Sequence, residues 1–278
     1  MRVVTLRPPP IAASCWALVM HMRGVAHPLP EEWYADDADE PTALVHREPL
    51  PLAGRESEDG IRIQLGSWGE PERAVRVAAE AVDSAASMAQ GRVMFAALDR
   101  ALLPPLTSAL AELPLPRVPT WQSKCGLYRP SATAAAAREL ELPSGVALRP
   151  LRGSDARLVD SRWTYRSARS AAMVRRSLTA ARGLGCIGIA DEGGAGELRG
   201  WIVRYSDGPL GMLWVEEAYR RRGYAAALIA AAERDLRAAG EPLFCYIVDE
   251  NDASIRQFSR AGWERVADAD WVGFAPPE

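Results

Sequence analysis

In the second half of the chain the apolar positions switch between two periods. Short apolar runs at 146–151, 186–190, 199–205, 210–215, 243–248 and 271–274 predict strands. Stretches with apolar residues three and four apart predict helices between them. The first carries Leu158, Val159 and Trp163 behind Asp155, a cap candidate, and the second carries Met173, Val174 and Leu178 and stops near Gly183. A long helix over 223–239 places Leu228, Ile229, Ala232 and Leu236 on one stripe and ends at Gly240. A last helix covers 252–261. Asp207-Gly208 predicts a hairpin turn, and the glycines within 193–196 another. Strands alternating with helices predict an α/β unit built on βαβ elements.

The first half is less regular. Residues 23–60 are rich in proline and acid, with short strands expected at 43–46 and 61–65. Val75, Ala78, Ala79, Val82 and Ala86 share one helical stripe over 71–90. Val93, Leu98, Leu102, Leu106 and Leu110 have the same spacing and predict a helix over 92–112, interrupted by Pro104 and Pro105. Three prolines within 113–119 require extended or turning chain. A short helix is expected at 132–140, closed by Pro143, Ser144 and Gly145. The domain boundary falls there, giving an N-terminal α/β half over 1–143 and a second domain over 146–278. Residues 1–30 contain arginines and no acid, so a targeting segment competes with a buried strand at 15–22. The apolar run 11–20 is too short to span a bilayer, which takes ~20 residues.

Composition narrows the function. The 278 residues are 48% hydrophobic and 25% charged with a formal net charge of -3, values ordinary for a soluble chain. Nucleic-acid binders usually carry a basic surplus, so neither a nucleic-acid nor a membrane partner is expected. Lys124 is the only lysine, which excludes Schiff-base chemistry almost everywhere. Cys15, Cys125, Cys186 and Cys245 form no C-x-x-C pair, so neither a metal site nor a disulfide scaffold is expected. An intracellular soluble monomer, cytoplasmic or mitochondrial, is the expectation. The three histidines, His21, His27 and His46, all lie upstream, so an imidazole-activated cysteine at Cys245 has no base in its own half.

The informative stretch is Leu213-Trp214-Val215, then Glu216 and Glu217, then Tyr219-Arg220-Arg221-Arg222-Gly223-Tyr224-Ala225. A strand runs into a basic turn, a glycine and the first turn of a long helix. The first amides of a helix lack internal partners and carry roughly half a positive charge. Arginines there oppose the dipole and call for an explanation; a bound diphosphate supplies one. The G-x-x-x-x-G-K-[ST] and G-x-G-x-x-G spacings are both absent.

R-x-x-G-x-A at Arg220 to Ala225 resembles the acyl-CoA pyrophosphate loop of the GNAT acyltransferase superfamily. Asn251-Asp252-Ala253-Ser254-Ile255, followed by Gly262-Trp263, resembles the N-x-x-[AS]-I…G-[FW] pattern of its last helix. Leu158-Val159-Asp160, Trp163, Trp201, Gly211-Met212-Leu213 and Val248-Asp249-Glu250-Asn251 are similar to the glycine N-acyltransferase group, with its FR47-like C-terminal domain. The likeness covers about 146–274; upstream it is loose, as of a degenerate half of the same kind. It implies a GNAT fold: a central mixed, mostly antiparallel sheet flanked by helices.

The resemblance further implies transfer of an acyl group from acyl-CoA or acetyl-CoA to the amine of glycine or another small amino acid, in a ternary complex. Arg220, Arg221, Arg222, Gly223, Tyr224 and Ala225 would hold the pyrophosphate. Leu213, Trp214 and Val215 would run beside the pantetheine, the Val215 amide would polarise the thioester carbonyl, and Asn251 and Ser254 would line the other side. A glutamate that some relatives carry as base is replaced by Pro209, leaving Asp249 and Asp207 as candidates. Ser259 stands where many members have a tyrosine. Glu216 and Glu217 read as solvated. Trp163, Trp201 and Trp214 line an acyl pocket or are plain core. Gly223→Val is expected to cost little stability and to exclude the pyrophosphate. The alternatives are a protein or polyamine N-acetyltransferase and a non-catalytic acyl-CoA-binding module.

Overall fold

The computed structural model describes residues 32–35, 43–49, 60–67, 70–84, 92–131, 142, 144–167, 170–179, 183–191 and 197–277. The expected strand or targeting segment within 1–30, the helix at 132–140 and the turn at 193–196 lie outside them. The chain forms two compact units, Met1–Gly126 with Ala267–Glu278, and Leu127–Val266. The division falls inside a strand at Gly126/Leu127, and the last residues return to the first unit. No described helix is long and apolar enough to cross a membrane.

In the first unit, strands β1 (Glu32–Ala35), β2 (Ala43–Pro49), β3 (Gly60–Ser67) and β4 (Arg92–Asp99) lie side by side. Helix α1 (Pro71–Asp83) crosses between the parallel strands β3 and β4. It buries Ala74, Val75, Ala78, Ala81 and Val82. Residues 92–99 are thus a strand and not the start of a helix. Ala97 has φ 55, and opposite it the register slips between Asp270 and Val272. This bulge adds one residue to the alternation, so Val93, Phe95 and Leu98 are buried at spacings of two and three. That broken period, followed by the true helix α2 (Leu103–Ala111), imitates one long amphipathic helix. Pro104 and Pro105 stand in the first turn of α2, where the missing N–H costs nothing, and start it rather than interrupt it.

Strand β5 (Val118–Ser123) follows, then β6 (Cys125–Pro130), in which the chain leaves the first unit. The second unit continues with β7 (Val146–Pro150), helices α3 (Ala156–Ser161) and α4 (Ser170–Thr179), β8 (Ile187–Asp191), β9 (Leu198–Arg204), β10 (Leu210–Val215), α5 (Tyr224–Ala238), β11 (Cys245–Val248) and α6 (Asp252–Arg260). The sheet order is β6-β11-β10-β9-β8-β7; β7 to β10 are antiparallel neighbours and β10 and β11 are parallel. The fold class expected from the sequence, a mixed and mostly antiparallel sheet flanked by helices, is what the structure has. Ile189, Ile202 and Leu210 pack with Leu228, Leu236 and Phe258 under α5 and α6. Trp201 and Val203 face the other way, against Val159, Val174 and Leu178 of α3 and α4. Each such side chain fully removed from water contributes ~1.5–3 kcal/mol.

Strand β12 (Trp263–Ala275) is far longer than the expected 271–274 and carries the chain back. Within the first unit its residues pair with β4 and β5. Asp270, fully buried there, accepts Arg100 Nε at 3.0 Å and Nη2 at 2.8 Å, Gln122 Nε2 at 2.6 Å and the Cys125 amide at 3.2 Å.

Candidate functional site

The site is built on an irregularity in β10. Met212 has φ 48, and the register between β10 and β9 slips between Gly211 and Trp214. The bulge bends the strand away from its other neighbour. As a result β10 and β11 pair at Leu210↔Cys245, where the Leu210 amide also donates to the Phe244 carbonyl at 2.8 Å, and diverge beyond that point. A wedge opens with its apex at Leu210 and its mouth at Val215 and Val248. Backbone alternation decides what lines it. The Glu216 amide donates to Arg199 on β9, so the N–H groups of Val215 and Leu213 point to the opposite edge, into the wedge. The Val215 carbonyl on that edge accepts Arg220 Nε at 3.1 Å.

Beyond the mouth the chain makes a single 3-10 turn, Glu217–Tyr219, then an extended Arg220, then Arg221 at φ 61 and Gly223 at φ 83. Gly223 is the N-cap of α5 and brings no side chain to cap it; the first turn holds no acid. The first intrahelical bond is Ala227 N–H to Gly223 O, which leaves the amides of Tyr224, Ala225 and Ala226 open. Arg221 and Arg222 are exposed, and Arg222 lies 5.5 Å over the Tyr219 ring. The same ring is covered at 4.8 Å by Arg199, which also pairs with Asp191 at 2.6 Å and Glu216 at 3.1 Å. Glu216 is therefore not a solvated flank: it ties the entry of the loop to β9, while Glu217 is exposed. A Cβ at Gly223 would meet nothing within 4 Å. Its need for glycine is conformational, since positive φ strains any other residue, and a substitution costs more stability than its place at the helix start suggested.

On the far side of the wedge, Asn251 caps α6, accepting the Ser254 amide at 3.1 Å, and both residues stand just past the end of β11. The two candidate bases lie at opposite ends. Asp249 follows β11 at the mouth, and its Oδ1 accepts Arg265 Nη1 at 2.8 Å. Asp207 sits in the 205–209 turn at the apex end, where Tyr205 N–H donates to Pro209 and Gly208 N–H to Tyr205. The sequence reading missed Tyr205. Its ring lies across Gly211, where any Cβ would collide with it. Burial first, then Asp207 and then Tyr165, push the Tyr205 hydroxyl well above its ordinary value, so it stays protonated and can donate. The only sequence signal was an aromatic residue beside a D-G hairpin.

Trp201 is fully buried and stacks on Trp214 with centroids 4.5 Å apart, so the first is core and the second half-exposed lining. Arg162, at the end of α3, lies 5.5 Å over the Trp214 ring. Trp163 pairs with Tyr165 instead, at 6.0 Å. Cys245 is buried and its thiol is pushed far up by desolvation; Cys186 is raised to about 11 by the same cause against the Arg204 carbonyl and charge, so neither supplies a thiolate near neutrality. Among the described residues no group of three His, Cys, Asp or Glu is placed to hold a metal ion.

Residues 186–272 match the family model of FR47-like protein, which spans β8 to β12 and hence the whole wedge and loop. No curated protein matches the chain. Among solved structures, a Drosophila protein superposes with TM-score 0.67 at 21% identity, covering 89% of this chain and 80% of its own. A tandem GNAT protein from the clavulanic acid biosynthesis pathway gives 0.63 at 14% identity, covering 98% and 90%. A GCN5-related N-acetyltransferase from Sphaerobacter thermophilus gives 0.56 at 13%, covering 94% and 85%. With an FR47-like stretch over its wedge and loop, the chain has the fold of the GNAT acyltransferases.

Proposed function

We propose that the protein is an acyl-CoA-dependent N-acyltransferase acting on the amine of a small amino acid. The observation that carries this reading is the continuity of the wedge with the uncapped start of α5. One open backbone edge, the N–H groups of Leu213 and Val215, leads to open helix amides flanked by Arg221 and Arg222. A pantetheine arm extends that edge as an added strand while its diphosphate meets the helix start. Val215 is five residues from the apex and Leu213 three, so in this reading Leu213 N–H donates to the thioester carbonyl and Val215 N–H to the arm.

In this reading the acceptor approaches on the side of α3 and α4, where the half-exposed Trp214 stands. Arg162, over Trp214 on that face, has no carboxylate partner among the described residues and supports an acceptor that carries one. The ammonium loses a proton to Asp207, directly or through water, and the free amine attacks the carbonyl carbon. The adduct gives its second nitrogen proton to water, the C–S bond breaks, and the thiolate leaves as the anion or takes a proton from water, with the protonated Tyr205 hydroxyl able to donate a hydrogen bond to it in this assignment. Asp249, engaged by Arg265 at the mouth, is the less suited base.

The test is release of free thiol from a set of acyl-CoAs in the presence of a panel of amino acids, amines and peptides. Release with amino acids supports the reading. Release with peptides or polyamines alone moves it to the protein or polyamine class. Tight acyl-CoA binding without release for any acceptor makes the protein a binding module, a reading that Pro209 in place of a glutamate favours.

A further inference from the structure

Away from the wedge, the second unit carries an open groove of about 450 Å³ on the hairpin of α3 and α4. Arg157 of α3 and Arg175 and Arg176 of α4 line it, with the short side chains of Ala156, Ala171 and Ala172 leaving it its depth. The α4 residues recur at spacings of one and four, which puts them on one face of that helix.

The groove is basic without compensation. Helix α4 contains no acid. The two carboxylates of the hairpin are engaged elsewhere: Asp155 accepts both terminal nitrogens of Arg149, at 2.8 and 3.1 Å, and the Arg152 amide at 2.7 Å, and Asp160 accepts the Ser170 hydroxyl. Among the described residues, none of the three groove arginines has an ion-pair partner, although the chain as a whole is acidic. The Arg176 Nε is buried and makes no hydrogen bond. Buried donors are almost always satisfied, and the exposed Arg157 and Arg175 bring their charges to the same groove with no carboxylate beside them among the described residues. An anion seated in the groove neutralises this concentration of charge.

We infer that this groove binds the phosphate group of a small phosphorylated molecule, at a place distinct from the start of α5. A phosphate presents three oxygens to three forked donors, whereas a carboxylate has two. The volume lies in the range of small-ligand sites, ~300–1,000 Å³. The groove is confined to one face of a ten-residue helix, which suits a compact ligand and not a polyanion laid across the surface. The inference does not rest on the acyl-transfer reading, and thiol release is measured independently of it.

The full-length protein is titrated with inorganic phosphate at constant ionic strength while the arginine Nε–Hε signals are followed by ¹⁵N-resolved NMR. The Arg176 signal, assigned by its disappearance in Arg176→Gln, shifts and saturates. Arg175→Gln, an exposed change that leaves the core alone, weakens the apparent affinity at least fivefold. Arg176→Lys, which keeps the charge and loses the fork, also weakens it. Arg222→Glu, at the start of α5, leaves the Arg176 titration unchanged. An Arg176 signal that does not move, that moves equally with chloride, or whose titration survives Arg175→Gln unaltered overturns the inference.

Discussion

Arg220 donates from Nε to the Val215 carbonyl at 3.1 Å, closing the turn between the end of β10 and the start of α5. The first arginine of the basic run is thereby spent on the shape of the loop, and Arg221 and Arg222 are left to face a ligand. Arg222→Glu reverses a charge beside the open amides and is expected to weaken CoA binding at least tenfold, or ~1.4 kcal/mol. Arg220→Leu removes a charge that is turned toward the Val215 carbonyl, frees the loop, and weakens binding less, by severalfold. Calorimetry on folded variants checks the order; equal losses would remove the distinction between shaping and binding.

Gly223 and Gly240 make a matched pair. Both have positive φ, 83 and 67, and a Cβ at either meets nothing within 4 Å. Alanine at each costs comparable left-handed strain, ~1–2 kcal/mol. Only Gly223 lies where the diphosphate is placed. Gly223→Ala is therefore expected to lose acyl-CoA affinity well beyond its fall in melting temperature, and Gly240→Ala to show the thermal loss alone. Parallel melts and CoA titrations separate the two effects.

The base assignment is tested at opposite ends of the wedge. Asp207→Asn is expected to lower turnover more than Asp249→Asn, because Asp207 stands at the apex beside Tyr205 and Asp249 is held by Arg265. With Asp207 removed, the residual rate should keep rising with pH as free amine accumulates. An unchanged pH–rate profile in that variant assigns the proton to water.

Stability should fall at both pH extremes for separate reasons. Burial alone would raise the Asp270 carboxyl, but the bonds from Arg100, Gln122 and the Cys125 amide outweigh it and hold it below its ordinary range. Its contribution is complete above the unfolded value, ~3.9, and is lost as pH falls through the lower folded value. Asp270→Asn should cost ~3 kcal/mol near neutrality and flatten the acid limb of the unfolding curve. At the other extreme Tyr205 is raised in the folded state, so the unfolded chain gives up that proton first. Stability then drops as pH climbs past ~10, and Tyr205→Phe should reduce that drop. Chemical denaturation across the pH range measures both limbs.

Much of the second unit was legible in the chain because its signals are local. The β10 limits 210–215, the stripe Leu228-Ile229-Ala232-Leu236, the stop at Gly240 and the R-x-x-G-x-A turn each depend on residues within one or two turns of one another, and each stands where the pattern placed it. Tertiary structure decided what depends on distant partners. Residues 92–99 are a strand because β3 and β12 pair with them, and their bulge at Ala97 disguises the period as helical. Met212 turns β10 away from β11 and so creates the wedge, yet nothing in the run Gly211-Met212-Leu213 marks a positive φ. Asp249 meets Arg265 across 16 positions, and Asp270 meets Arg100 across 170. What each carboxylate meets follows from such pairings, and periodicity carries no information about them because it records only which face of its own element a side chain occupies.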